Sequence, residues 1–133
     1  MTEDAARAHL QIGQVAERTE LSIKTIRHYD EVGLVTPSAR STGGFRLYTE
    51  DDVERLLVVR RMKPLGFTLD QMRDLLDALE VLDDADSGPD ERARASAIVL
   101  DCRTTATQSC EKLRRQLDYA EEFTALLIAR DTR

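Results

Sequence analysis

The chain has 133 residues, 41% of them hydrophobic and 33% charged, with no Trp and a formal net charge of −6. That length gives about one domain, and the scarcity of aromatics, Gly and Pro excludes a sandwich or barrel, which needs many turns and β-forming side chains. No run approaches the ~18 apolar residues of a membrane-crossing helix, two cysteines make no disulfide framework, and a net acidic charge taken alone speaks against a nucleic-acid partner.

Residues 1–9 are polar and lack an apolar signal-type segment. They read as a flexible tail, and the expected location is cytoplasmic with no membrane partner. From Leu10 the pattern turns regular. Ile12, Val15 and Ala16 recur at helical spacing. A short break at Thr19-Glu20-Leu21 follows, and Ser22 is placed to cap a second helix. Ile23, Ile26 and Val32 give that helix an apolar side. Lys24, Arg27, His28 and Glu31 fall at i, i+3, i+4 and i+7 on a different face. Gly33 stops the helix.

Leu34-Val35 and Phe45-Arg46-Leu47-Tyr48 are β-type runs with Pro37, Ser38, Ser41, Gly43 and Gly44 between them. They predict a two-stranded hairpin that must pack on helices to be stable. Thr49 followed by Glu50, Asp51 and Asp52 is a helix start. Val53, Leu56, Leu57 and Arg60 share one face, and Pro64 and Gly66 end the helix. Thr68 and Gln71 have capping-box spacing, and Leu69, Met72, Leu75, Leu76 and Leu79 make an apolar stripe behind them.

Residues 80–90 read as an acidic linker. Residues 91–130 contain neither Gly nor Pro, predicting one helix of roughly 60 Å at 1.5 Å per residue. Its seam runs Val99, Cys102, Ala106, Cys110, Leu113, Leu117, Ala120, Thr124, Leu127, with later spacings alternating 3 and 4 as a coiled coil requires. Such a helix cannot bury its seam within its own chain. The expected solution is an antiparallel coiled-coil homodimer.

Helix, tight turn, helix with a basic outer stripe, then a hairpin: this is the layout of a winged helix-turn-helix, mainly α with a small β wing. Residues 10–79 would form the DNA-binding unit. The local sequence also resembles a known family. Ile12-Gly13-Gln14-Val15-Ala16, Leu21 to Asp30, Gly33-Leu34, Pro37, Arg40, Gly44 to Tyr48, Asp52-Val53 and Leu65 to Gln71 occur in the order and spacing of the MerR family of bacterial transcription regulators. Four positions depart from the family pattern. Glu20 stands where the family usually has Gly, His28 where Tyr is commoner, and Phe45 where Tyr would offer a hydroxyl. Pro64 falls where a helix former is usual.

The resemblance implies a set of DNA contacts. Lys24, Arg27 and His28 would line the recognition helix, with Lys24 toward bases and Arg27 toward phosphate; Ser22, Thr25 and Tyr29 would join them. Arg40, Gly44, Phe45, Arg46 and Tyr48 would form the wing. Arg60, Arg61 and Lys63 would be a second phosphate clamp. Plainer roles stay open: Tyr29 and Tyr48 also suit a core, His28 a simple surface, and Arg60 and Arg61 pairing with nearby acids. The implied function is a dimeric regulator that binds an inverted repeat in double-stranded promoter DNA and distorts it, meeting RNA polymerase there, as activator or repressor. No cofactor is implied, and no effector is identified.

Cys102 and Cys110 lie about 12 Å apart along a helix, too far for one metal or an intrachain disulfide. Packing on the seam is the preferred reading. The sharper alternative is a redox or metal site formed across an antiparallel dimer, with Cys102 facing Cys110 of a second copy. An enzyme is not expected, because no metal motif, glycine-rich phosphate loop or nucleophile-base pair is present. The remaining alternative is a coiled-coil interaction module that binds protein rather than DNA. The net charge does not decide against DNA once divided. Residues 12–63 carry nine Lys/Arg against eight Asp/Glu, and residues 66–133 carry nine against fifteen. The acidity belongs to residues 66–133, the linker and dimerisation half.

Overall fold

A computed structural model describes residues 9–131. A short strand, β1 (Leu10–Gln11), leads directly into α1 (Ile12–Thr19) and, after a three-residue turn, α2 (Ile23–Glu31). The hairpin β2 (Ala39–Arg40) and β3 (Arg46–Tyr48) follows, then α3 (Glu50–Met62), a single 3-10 turn (Lys63–Leu65) and α4 (Leu69–Asp83). The chain ends in α5 (Pro89–Asp131), 43 residues and roughly 65 Å long.

The expected helix starts are realised atom by atom. Ser22 Oγ accepts from Thr25 N, Thr49 Oγ1 from Asp52 N and Thr68 Oγ1 from Gln71 N, at 3.0, 3.2 and 3.1 Å. Each satisfies a backbone donor that the first helical turn leaves unpaired. Gly66 closes the 3-10 turn in the left-handed region at φ 87, as the chain reverses into α4. Pro64, inside that turn, is tolerated because it lies past the last full turn of α3.

The sheet differs from the expected hairpin in two ways. Leu34 and Val35 are not its first strand. Both are buried, 3% and 1% exposed, and their backbone N–H groups bond back to Tyr29 O. Their apolar side chains are spent on the core, and the pairing strand falls later, at Ala39–Arg40. The sheet also has a third strand. β3 is central, with Leu10 opposite Tyr48 on one side and Arg40 opposite Arg46 on the other.

The core joins the four helices α1–α4 and the central strand β3. Val15 from α1, Ile26 and Tyr29 from α2, Tyr48 from β3, Val53, Leu56 and Val59 from α3, and Met72 and Leu76 from α4 meet in one cluster. In α2 the residues facing this core are Ile26 and Tyr29, while Ile23 is 38% exposed. Asp52, 7% exposed, accepts from Ser38 N, Ser38 Oγ and Thr49 N, and so pins the loop before the wing onto α3.

The segment between α4 and α5 is shorter than the residue 80–90 stretch expected from sequence, because α4 continues through Asp83 and α5 begins at Pro89. Arg92 spans it, donating to Leu82 O and Asp84 O and so capping the end of α4. The first half of α5 lies along α4, and Cys102 and Ala106 pack against the main core. Ser109 Oγ donates to Leu65 O at 3.1 Å. From Cys110 to Asp131 every residue is exposed.

Candidate nucleic-acid interface

α2 is built with two opposed faces. Ile26 and Tyr29 point into the core, and Lys24, Arg27 and His28 are exposed on the other side. Lys24 and Arg27 make no side-chain hydrogen bond or ion pair among the described residues. They leave an unpaired cationic face at the start and middle of the helix. Ser22 and Thr25 are occupied with each other: the Ser22 hydroxyl donates to Thr25 Oγ1 at 2.8 Å while accepting from Thr25 N.

The turn into α2 holds Glu20 at φ 59 and ψ 24, the single non-glycine residue at positive φ among those described. An L-residue here carries a cost of roughly 1–2 kcal/mol that glycine avoids. Thr19, fully buried, braces the turn by donating Oγ1 to Val15 O and accepting from Leu21 N. Arg60 of α3 clasps it from outside, with Nη1 on Thr19 O at 2.8 Å and on Glu20 Oε2 at 3.1 Å. The expected clamp is therefore divided. Arg60 is engaged within the chain, whereas Arg61 and Lys63 are exposed without an ion pair among the described residues.

The wing stands beside the end of α2. Ser41 N donates to Phe45 O, Gly44 N to Ser41 O and Phe45 N to Ser41 Oγ. Gly44 sits at φ 82. This tight loop thrusts Phe45 outward, 72% exposed, with its ring against Gly43, where an added Cβ would come within 3.1 Å of it. Arg46 Nε donates to Asp30 Oδ2 at 2.7 Å, and Arg40 Nη2 donates to the same oxygen at 3.0 Å. The hydrogen bond to Asp30 raises the Arg46 pKa above its ordinary value. Asp30 appears in the sequence motif, but no local pattern marks it as the partner of two wing arginines.

Two of the expected contacts lie elsewhere. Tyr29 and Tyr48 are 3% and 0% exposed, and their side chains belong to the core. Burial raises both phenol pKa values. The Tyr48 hydroxyl is enclosed and has no hydrogen-bond partner among the described residues. Cys102 is also drawn inward, lining an apolar recess of about 330 Å³ with Val58, Leu65, Phe67 and Leu75. Burial raises its thiol pKa. Cys110 is exposed on the projecting part of α5. Among the described residues no three His, Cys, Asp or Glu side chains converge as a metal site would require.

Comparison with known proteins places this geometry. A family model described as MerR HTH family regulatory protein matches residues 10–79. An HTH-type transcriptional regulator of Pseudomonas aeruginosa is 35% identical over 109 residues, covering 82% of this chain and 73% of its own length. The HTH-type transcriptional activator mta of Bacillus subtilis is 45% identical over 67 residues, covering 50% of this chain but only 26% of mta. Among solved structures, HiNmlR, a MerR family regulator lacking the sensor domain and bound to promoter DNA, superposes with a TM-score of 0.68 at 22% identity, covering 89% of each chain. With its capped helix pair, its hairpin and its long terminal helix, the chain belongs to the MerR family of helix-turn-helix transcription regulators, which are DNA-binding proteins.

Proposed function

We propose that the protein acts in the cytoplasm as a homodimer that binds an inverted repeat in promoter DNA and distorts it to control transcription by RNA polymerase. The observation that carries this reading is the unpaired Lys24–Arg27 face of α2, standing next to a wing anchored on the same helix through Asp30. α2 enters the major groove, and the wing with Arg61 and Lys63 lies along phosphates. The projecting half of α5 supports the dimer. Leu113, Leu117, Phe123 and Leu127 are 44–62% exposed there, and a second copy of the same helix has the matching seam. Two helix-turn-helix units on one dimer call for two half-sites related by a twofold axis.

Selection of bound duplexes from a random pool tests the proposal. Enrichment of an inverted repeat is expected; no enrichment even at low salt overturns it. On the enriched site, Arg46→Ala weakens binding to specific and random DNA alike and makes the salt dependence shallower. Chemical probing for promoter-strand distortion separates an activator that untwists its site from a repressor that only occupies it.

A further inference from the structure

The structure assigns Asp30 as the positioning residue of the wing, a carboxylate that touches no DNA itself but aims the guanidinium of Arg46 at the phosphate backbone. This rests on the DNA-binding reading above. The sheet register sets Arg40 directly opposite Arg46, and like charges in that relation repel. One oxygen of Asp30 accepts from both, at 3.0 and 2.7 Å. Arg46 spends only its Nε on Asp30. Its two terminal nitrogens have no hydrogen-bond partner among the described residues. They keep the forked donor pair that matches two oxygens of one phosphate. Arg40, by contrast, uses both terminal nitrogens internally, on Asp30 and on Gly44 O. Arg46 is thus the arm left to bind, and Arg40 a brace.

The location of Asp30 supports a role beyond its own helix. It lies in the last turn of α2, where a negative charge opposes the helix dipole. Its side chain is only 10% exposed, so the charge is withdrawn from solvent and compensated by the two arginines. A carboxylate this close to DNA also repels phosphate. Charge alone therefore predicts that removing it tightens binding, and positioning predicts the reverse.

The sign of the effect is the test. Asp30→Asn, checked for folding by circular dichroism, is titrated against the selected inverted repeat and against random duplex over a range of salt. Affinity for the repeat is expected to fall about tenfold, with a shallower salt slope. Asp30→Glu, which retains the carboxylate, is expected to recover most of the loss. In an Arg46→Ala background, Asp30→Asn is expected to add little, because its effect passes through Arg46. Unchanged or tighter binding by Asp30→Asn, or full additivity with Arg46→Ala, overturns the assignment while leaving DNA binding intact. The Arg46 Nε–H resonance gives a readout without DNA. It is expected to shift and exchange faster in Asp30→Asn, and an unmoved signal likewise overturns the assignment. A wild-type protein that selects no DNA overturns the function itself, and the role of Asp30 with it.

Discussion

The two ends of the molecule treat hydrophobic surface in opposite ways. In residues 10–83 the apolar side chains of five elements close on one another, and Val15, Ile26, Tyr48, Leu56 and Val59 retain no exposure. In α5 beyond Cys110, Leu117, Tyr119, Phe123 and Ile128 are 58–68% exposed, and no residue is buried. The first region closes its own core, with α5 packed along it as far as Ser109. The second is half of one, a seam awaiting its complement. The charges divide differently. Among the described residues Lys24, Arg27, Arg61 and Lys63 are cations of the closed region without an ion pair, while the acidic excess sits in α4 and the segment after it, where residues 66–90 carry eight Asp/Glu against one Arg.

The largest expected effect comes from opening the closed region. Leu56 is fully buried at the meeting point of the helices. Leu56→Ala removes three carbons and leaves a cavity, so stability should fall by about 2–5 kcal/mol. Chemical denaturation measures it, and the loss should be independent of protein concentration. A change below ~1 kcal/mol would show that the core relaxes around the gap.

Breaking the projecting region should look different. Leu117→Asp with Leu127→Asp places two charges on the exposed seam. Sedimentation is expected to shift from dimer to monomer, and the helical signal of residues 110–131 to fall, since an isolated helix of that length is marginal in water. The Leu56 core should unfold as before, apart from the concentration dependence that dimerisation adds. A wild-type protein that sediments as a monomer at all concentrations would remove the dimer.

What could be read from sequence follows the same division between local and distant causes. Caps, stops and helices are set by neighbours within four residues, so Ser22, Thr49, Thr68, Gly33 and Gly66 declared themselves, as did the long helix. The sheet is set by partners far along the chain. β1 is two residues long and exists only because Tyr48 and Leu47 lie opposite it, and no periodicity can mark so short a strand. Leu34 and Val35 have the composition of a strand, but the core claimed them first. In the interface, the exposed face of α2 was legible as a stripe. The bonds of Asp30 to Arg40 and Arg46, and of Arg60 to the Thr19–Glu20 turn, join residues 10–41 positions apart and were not.

Smaller changes sharpen the picture of the closed region. Glu20→Gly relieves the left-handed strain and gives up only an exposed ion pair with Arg60, which is worth little. Stability should rise by about 1 kcal/mol. The freed Arg60 keeps its bond to Thr19 O and can turn toward phosphate, so DNA affinity should rise or hold. A loss of stability would mean that the Glu20–Arg60 pair braces the turn more than its exposure suggests. Thermal unfolding and the DNA titration together decide.

The smallest effect concerns one atom. The Tyr48 hydroxyl is buried at the centre of the sheet without a hydrogen-bond partner among the described residues, and such a group carries a desolvation cost of about 1–3 kcal/mol. Tyr48→Phe keeps the ring that fills the core and removes only the oxygen. Stability should therefore stay level or rise by up to ~1 kcal/mol, and DNA affinity should not change. A hydroxyl that reaches phosphate would give the opposite pattern, with stability unchanged and affinity reduced at every sequence. The comparison with Arg46→Ala makes the distinction concrete. Both residues lie on β3, two positions apart and therefore on the same face of the strand. One ends in an enclosed oxygen with nothing to bind, and the other in two free nitrogens. If Tyr48→Phe costs DNA affinity while Arg46→Ala does not, the wing meets DNA by rearranging, and the Asp30 bridge must open for it to do so.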